Sequence, residues 1–292
     1  MRIIPRSSSL LLLIALSGCQ TTSGSESAKR FEDGKRVLTA STCLSRNHEQ
    51  VKALQEHFLY SVNTTSKMLK IRFKDNAKGN SRSEQADSHS SGEIDLILCP
   101  NGYYADRVPA IRLAVLSNKL TKDIRENGGL DFLQSTWIKG INARILVWPA
   151  ADAYKINLYL KRVPSLSKKT GINLSGLRIR ANALHRPFIE AMGAVPKSVP
   201  MRNIKSALAG EQIDGFVFPN GNISRRGWDE YINVRIDPGF YRPSMMLTIN
   251  NDTFKSLSKV QQKELTLVAQ AYEKASNIDR QDHVTRDTDV MR

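Results

Sequence analysis

The sequence lacks the residue patterns on which most enzymes depend. It contains no Gly-x-Ser-x-Gly nucleophile elbow, no Walker loop and no dinucleotide-binding glycine run. Its five histidines, at positions 48, 57, 89, 185 and 283, show no metal-ligand spacing such as His-Glu-x-x-His. We therefore expect no bound metal, no cofactor and no catalysis.

Long apolar runs are scarce, and the one near the N-terminus is too short to span a membrane in a mature protein. Residues 10–16 are apolar, follow two arginines and precede small residues, which is typical of a secretory signal. Residues 16–19 (Leu-Ser-Gly-Cys) resemble the lipobox of bacterial lipoproteins, whose cysteine is lipidated and becomes the first residue. We predict a lipoprotein signal peptide over residues 1–18 and a lipid anchor at Cys19. An ordinary signal peptide with a chance cysteine is the alternative.

Acidic residues are few beside the basic ones, 28 against 43. Residues 1–18 hold two of the basic residues and no acid, so the mature chain carries a formal charge of +13. Export removes nucleic acid as a partner, and the chain has no run of five or more basic residues. Attraction of an anionic solute and attraction to an anionic membrane surface both remain open.

Hydrophobic periodicity predicts an α/β chain that follows a polar, flexible tether over residues 19–36. The first half reads as strands 37–41, 68–73 and 94–98, a helix over 49–61 and a loop over 78–91. The second half reads as strands 158–160, 177–179, 213–218 and 245–249, with helices at 186–192, 203–209 and 258 to about 276. Such an order is typical of open α/β sheets, so we predict two α/β lobes.

A series of short motifs along the chain is similar to those of one known protein family. Residues 174–180 (Leu-Ser-Gly-Leu-Arg-Ile-Arg) are similar to the family's strand motif D-L-K-G-L-K-I-R. The other similar stretches follow in the family's order and spacing: Met192-Gly193-Ala194, Val199-Pro200-Met201, Ala207-Leu208, Asp214-Gly215 and Leu247-Thr248-Ile249-Asn250. Gly92-Glu93-Ile94-Asp95-Leu96 and Phe254-Lys255-Ser256-Leu257 are similar as well, so the matches are spread over residues 37 to about 276, nearly the whole mature chain. The chain thus resembles the periplasmic binding subunits of TRAP (tripartite ATP-independent periplasmic) transporters.

The resemblance implies a two-lobe, periplasmic-binding-protein-like fold with open mixed sheets and a ligand cleft between the lobes. We expect lobe 1 over residues 37–148 with a returning segment at about 238–260, and lobe 2 over residues 149–237. A long helix at 258–277 would pack across both lobes, before a frayed tail at 278–292.

The resemblance also implies which residues meet the ligand. The second basic residue of the strand motif, Arg180, corresponds to the family's main carboxylate contact, and a planar guanidinium suits a carboxylate. The family's asparagine after Asp-Gly falls on Phe218, its nearby aromatic falls on Met201, and its second arginine has no clear match. The pocket would thus be more apolar than one for four-carbon dicarboxylates. The candidate ligand-binding residues are Arg180, Asn182, Met201, Phe218, Trp148 and Tyr154.

In a binding protein of this class the first and third strands are parallel neighbours. Cys43 would follow the first strand and Cys99 would end the third, so their backbones would lie about 4.8 Å apart. That separation is within reach of a disulfide in an oxidising compartment. We therefore predict a Cys43–Cys99 bond, with two buried free thiols as the alternative.

These observations predict a lipid-anchored protein on the periplasmic side of a bacterial membrane, the outer or the inner one. It would capture a small carboxylate and deliver it to integral-membrane TRAP transporter subunits. The alternative is a lipid-anchored binding module that serves a sensor or scaffold partner instead of a permease.

Overall fold

The computed structural model describes residues 30–75, 82–168, 171–242 and 245–290. The predicted signal peptide and Cys19 lie outside the described residues. Two mixed sheets form the centre of the molecule, in agreement with the predicted two-lobe α/β fold. The strands of the first sheet are β1 (Phe31–Glu32), β2 (Lys35–Thr42), β3 (Leu69–Phe73), β4 (Leu96–Pro100), β5 (Ala143–Val147) and β13 (Met245–Asn250).

The first sheet has the order β1-β2-β4-β13-β5, with β3 also paired to β2. Strands β2, β3 and β4 run parallel, while β13 runs antiparallel to both β4 and β5. Each face of the sheet carries a core, because side chains alternate along each strand. Leu96 and Leu98 of β4 enter one core, and Ile97 and Cys99 enter the other.

Helices cover both faces of this sheet. Helix α1 (Glu49–Ala53) continues through a π-helical segment (Leu54–Leu59) into α2 (Tyr60–Thr65). The other helices of this lobe are α3 (Arg82–Ser90), α4 (Ile111–Ala114), α5 (Thr121–Glu126), α6 (Gly129–Ile141) and α9 (Asn251–Ser256). The loop predicted over residues 78–91 therefore holds a helix. His89 fixes its end, because the ring bonds to the Ile94 carbonyl and to the Thr248 hydroxyl.

The second sheet has the order β10-β9-β11-β6-β12. Its strands are β6 (Ile156–Leu160), β9 (Arg178–Arg180), β10 (Val195–Lys197), β11 (Gly215–Pro219) and β12 (Val234–Tyr241). A separate hairpin pairs β7 (Ser165–Ser167) with β8 (Gly171–Asn173), and helices α7 (Arg186–Ala191) and α8 (Ile204–Ala209) complete the lobe. Two boundaries differ from expectation. The chain was expected to return to the first lobe at about residue 238, but β12 belongs to the second sheet and the return comes at Met245. The first sheet also begins at Phe31, inside the tether predicted over residues 19–36.

Helix α10 (Lys259–Val290) contacts both lobes, and it extends through the tail predicted to fray after residue 277. Its first half places Leu265, Ala269 and Tyr272 in the core of the first lobe. Its second half is polar, and Asp287 accepts hydrogen bonds from the backbone N–H groups of Ile223 and Ser224 in the second lobe. The tail is helical because these polar contacts hold it.

Candidate ligand-binding site

A cavity of about 260 Å³ lies between the two lobes, where strands of both sheets end. Its wall includes Pro100 at the end of β4, Arg180 at the end of β9 and Pro219 at the end of β11. Open α/β sheets present ligand sites beyond the carboxyl ends of their strands. Five of the six predicted ligand residues line this cavity: Arg180, Asn182, Met201, Phe218 and Tyr154.

Three arginines line the cavity, Arg180, Arg226 and Arg242, and Arg180 is the one at the end of the strand motif. Its Nε donates to the Val199 carbonyl at 3.0 Å, and its Nη1 lies 3.5 Å from the Val217 carbonyl. Within the described parts of the chain, Arg180 forms no ion pair with a carboxylate. Burial lowers the pKa of Arg180, but an arginine stays protonated at any physiological pH. The cavity thus holds a positioned guanidinium whose charge no carboxylate neutralises.

Arg178, the other arginine of the same strand motif, has a structural role. Its Nε and Nη2 donate to the two carboxylate oxygens of Asp214 at 2.9 and 3.0 Å. The next residue, Gly215, has no room for a side chain, because a Cβ there would lie 2.3 Å from the Tyr159 carbonyl oxygen. The two arginines of the motif therefore differ in role: Arg178 of β9 pairs with Asp214, directly before β11, and Arg180 lines the cavity.

The apolar wall of the cavity comes partly from Phe218 and Met201. Phe218 packs edge-on against Trp228, with ring centroids 4.9 Å apart. Phe216, two residues earlier, is fully buried and stacks on Tyr159 in the core of the lobe. Phe216 therefore packs in the core of the lobe, and Phe218 lines the cavity.

Trp148 does not line the cavity, which corrects its assignment as a ligand contact. The residue is 2% exposed and belongs to a core of the first lobe. Its backbone N–H donates to the Glu273 carboxylate of α10 at 2.6 Å, so the chain directly after β5 is fixed to that helix. The Trp148 ring instead supports Arg242, whose guanidinium carbon lies 5.2 Å from the ring centroid. Arg242 lines the cavity in its place.

Two polar side chains of the second lobe complete this part of the wall. The Asn182 side-chain oxygen accepts a hydrogen bond from the His185 backbone N–H at 3.1 Å, which orients the turn after β9. His185 is buried in the cavity wall. Burial, followed by the charge of Arg180, lowers the pKa of His185 to about 4, so the ring is neutral at pH 7. The positive charge near this turn therefore comes from Arg180.

At the rim, Glu49 forms a contact between the lobes that the sequence did not reveal. Its carboxylate accepts hydrogen bonds from the Tyr154 hydroxyl, the Asn222 amide and the Arg280 guanidinium, each at 2.8 Å. Helix α1 of the first lobe is thereby joined to the second lobe and to α10. Burial raises the pKa of Glu49, but Arg280 and the other donors outweigh it and hold the pKa below its ordinary value.

Beyond Glu49 lies a wider cavity of about 530 Å³. It shares Glu49, Asn222 and Arg226 with the first cavity, but acidic and basic side chains are mixed along its wall. Its buried arginine, Arg280, already pairs with Glu49. The smaller cavity is therefore the better candidate for an anionic ligand.

Glu49→Gln is expected to lower the free energy of unfolding at pH 7 by about 1–2 kcal/mol, because it leaves the buried Arg280 without its carboxylate partner. A carboxylate with a lowered pKa stabilises the fold above its unfolded pKa and loses that effect as the pH falls through its folded pKa. The difference between wild type and variant should therefore shrink below pH 4.5. Urea denaturation at pH 7 and pH 3.5 measures both effects. Glu56→Gln, an exposed site about two turns further along the same helical segment, is the control, and an equal loss in both variants would contradict the prediction.

The described residues include neither a cluster of metal ligands nor a membrane-spanning helix. No group of three or more His, Cys, Asp or Glu side chains among them is arranged to hold a metal ion. In the same part of the chain, no helix is both long enough and apolar enough to cross a membrane.

Known proteins match both the sequence and the fold. Residues 172–289 match the sequence model of the bacterial extracellular solute-binding proteins, family 7 (DctP). The fold is similar to that of a TRAP periplasmic solute-binding protein from Ochrobactrum anthropi, with a TM-score of 0.73, 17% identity, and coverage of 89% of this chain and 82% of that one. The predicted resemblance to the TRAP solute-binding family is confirmed.

Two further TRAP solute-binding proteins of similar fold were solved with ligands. The protein from Roseobacter denitrificans holds 3-deoxy-D-manno-oct-2-ulosonic acid and matches with a TM-score of 0.66, 15% identity, and coverage of 88% of this chain and 85% of that one. The protein from Haemophilus influenzae holds L-gulonate and matches with a TM-score of 0.65, 18% identity, and coverage of 87% and 84%. The TM-scores show a shared fold, but at such low identity they show the fold alone, so the ligand of this chain must be argued from its own cavity.

Proposed function

We propose that this protein is the extracytoplasmic solute-binding subunit of a TRAP-type secondary transporter. It captures a small organic anion between its lobes and delivers it to integral-membrane permease subunits, without catalysis. The observation that carries the proposal is the Arg180 guanidinium, held by two backbone carbonyls in the interlobe cavity and not neutralised by a carboxylate. The acids bound by structural relatives support the same class of ligand.

The cavity favours a monocarboxylate with a sizeable apolar part. A carboxylate matches the planar fork of Arg180, and Met201 and Phe218 offer apolar surface to the rest of the molecule. At this position TRAP solute-binding proteins have an asparagine that donates a hydrogen bond, and Phe218 cannot donate one. A compact dicarboxylate would therefore lack that hydrogen bond to its second carboxylate, which is unfavourable.

A thermal-shift screen of organic acids tests this proposal. We expect 2-oxo acids and aromatic acids of six to ten carbons to raise the melting temperature, because binding to the folded state alone stabilises it. Succinate and malate should have little effect. Strong stabilisation by succinate or malate, together with no response to the longer acids, would refute the ligand class. No response to any carboxylate would refute the function.

We further propose that Cys19 anchors the protein to a membrane through lipid. The support is the sequence of residues 16–19 directly after the apolar run of a signal peptide. Protein expressed with its own signal peptide should enter the detergent phase in Triton X-114 partitioning, and Cys19→Ser should remain in the aqueous phase. Ser23→Ala, a neutral change in the same tether, is the control. Wild-type protein in the aqueous phase would contradict the anchor.

A further inference from the structure

The third arginine of the smaller cavity, Arg226, lies where this cavity meets the wider one. Arg226 is exposed and forms part of both walls. Its guanidinium carbon lies 5.4 Å from the centroid of the Phe218 ring and 5.2 Å from that of the Trp228 ring. Burial is the main cause of a lowered pKa at His48 in the first lobe, and the charge of Arg226 lowers it further. The guanidinium therefore stands near Phe218 of one lobe and His48 of the other, and both of these residues line the smaller cavity.

The charged side chains of the smaller cavity are paired at two positions and unpaired at two. The Arg242 side chain has no exposed surface, and its Nη2 lies 3.6 Å from a carboxylate oxygen of Asp152. Glu49, the one acidic residue of this wall within the described chain, already pairs with an arginine of α10. Neither Arg180 nor Arg226 forms an ion pair with a carboxylate in the same described ranges. An anion that enters the cavity therefore meets two uncompensated positive charges, those of Arg180 and Arg226.

Exposure decides what each unpaired arginine can do. Arg180 is half-buried and held by the Val199 and Val217 carbonyls, so a carboxylate bound to it is partly shielded from water and its charge-assisted hydrogen bonds are strong. An ion pair at the exposed Arg226 is screened by water and salt and adds little to the stability of a bound state. A charge at the rim of a binding site mainly changes the rate of association and its salt dependence. The position of Arg226 therefore favours a role in association, not in holding the bound ligand.

We propose that Arg226 captures the incoming ligand: it attracts the ligand carboxylate from the wider cavity and passes it to Arg180. Because Arg226 belongs to both walls, an anion that moves from the wider cavity into the smaller one passes its guanidinium. Arg226 then raises the association rate constant, and Arg180 sets the dissociation rate constant. This inference rests on the proposed function, because it assigns the carboxylate of the bound ligand to Arg180.

The rate constants of binding provide the test. The probes are 4-methyl-2-oxopentanoate, 2-oxooctanoate and 3-phenylpropanoate, which are monocarboxylates with an apolar part. Titration calorimetry shows which of them bind to the wild type, and stopped-flow tryptophan fluorescence then gives their association and dissociation rate constants. Trp228 lies beside Arg226 and supplies a fluorescence signal where the two cavities meet.

A set of substitutions separates the local charge from the general field of a basic protein. Arg226→Gln removes the charge, and Arg226→Lys keeps it. Arg225→Gln is the matched control, because it removes the same charge from the adjacent exposed residue, which lines the wider cavity but not the smaller one. Arg180→Ala tests the proposed function in the same measurement.

At low salt we expect Arg226→Gln to lower the association rate constant by about 3- to 10-fold and to leave the dissociation rate constant within about 2-fold of the wild type. The difference should shrink as the salt concentration rises from about 20 to about 200 mM, since added ions screen an exposed charge. Arg226→Lys should associate nearly as fast as the wild type, and Arg225→Gln should change both rate constants by less than about 2-fold. Arg180→Ala should act mainly on the dissociation rate constant.

Failure of this inference and failure of the proposed function give different results. An unchanged association rate constant in Arg226→Gln, or an equal loss in Arg225→Gln, overturns the role of Arg226 while the Arg180 site stands. Faster dissociation from Arg226→Gln at an unchanged association rate makes Arg226 a contact of the bound ligand and also overturns the capture role. If Arg180→Ala binds the acids as the wild type does, or if none of them binds to the wild type, the proposed function fails and the inference fails with it.

Discussion

Arg180→Ala is expected to weaken binding of the native anion by roughly 30-fold to several thousand-fold while the protein stays folded. Loss of a buried, charge-assisted hydrogen-bonding partner typically costs about 2–5 kcal/mol of binding free energy. The fold should survive, because Arg180 bonds only to the Val199 and Val217 carbonyls and forms no ion pair in the described residues. Titration calorimetry on protein purified free of ligand measures the change.

The matched control is Arg186→Ala. It removes the same charge from the same lobe at an exposed site, where Arg186 lies 3.7 Å from Glu190 on helix α7. Its affinity should stay close to that of the wild type, which separates the specific contact from the general field of a basic protein. Arg180→Lys keeps the charge but loses the planar fork, so it should fall between the two. Unchanged affinity in folded Arg180→Ala would contradict the assignment.

The second large effect concerns Cys43 and Cys99. Strands β2 and β4 are parallel neighbours, and their register pairs Thr42 with Leu98, so Cys43 and Cys99 come next to each other. The structure joins them in a disulfide with a Cα–Cα distance of 5.5 Å across a sequence separation of 56. In the chain-entropy description, closing a loop of this length stabilises the fold by about 4 kcal/mol.

We therefore expect the Cys43→Ser, Cys99→Ser double variant to unfold at lower denaturant, with about 4 kcal/mol less free energy of unfolding. A reducing agent should lower the stability of the wild type by a similar amount and leave the double variant unchanged, which controls for effects of the reagent. Mass spectrometry under non-reducing conditions counts the thiols. Two free thiols in the mature domain after aerobic purification, apart from Cys19, would contradict the prediction.

Alternating apolar residues predicted the strands well, because successive side chains of a strand point to opposite faces of the sheet. The same rule placed Phe216 and Phe218 on one side of β11, but it could not say which of them reaches the cavity. That choice depends on Tyr159 and Trp228, which contact these rings from other parts of the chain. The strand motif could predict Arg180 as a cavity residue, because its place depends only on the end of one short strand.

Contacts between distant segments left no local signal. Glu49 opens a short helix, and nothing near it in the sequence indicates that it meets Tyr154, Asn222 and Arg280. Arg242 directly follows β12, a strand that was not predicted. Helix α3 escaped prediction because its residues are mostly polar and lack apolar spacing, although Ala86 is buried. The second half of α10 was predicted to fray because its stabilising partners, such as Ile223 and Ser224, lie in the other lobe.

The position of β13 has a consequence for the order in which the chain folds. This strand lies between β4 and β5, yet it follows the entire second lobe in the sequence, and it pairs Met245 with Pro100. The first lobe therefore cannot complete its sheet until the second lobe has been synthesised. Pairing across so long a separation in the sequence is slow. Cys43 and Cys99 both precede β13 in the sequence, so the loop between them can be closed before β13 joins the sheet.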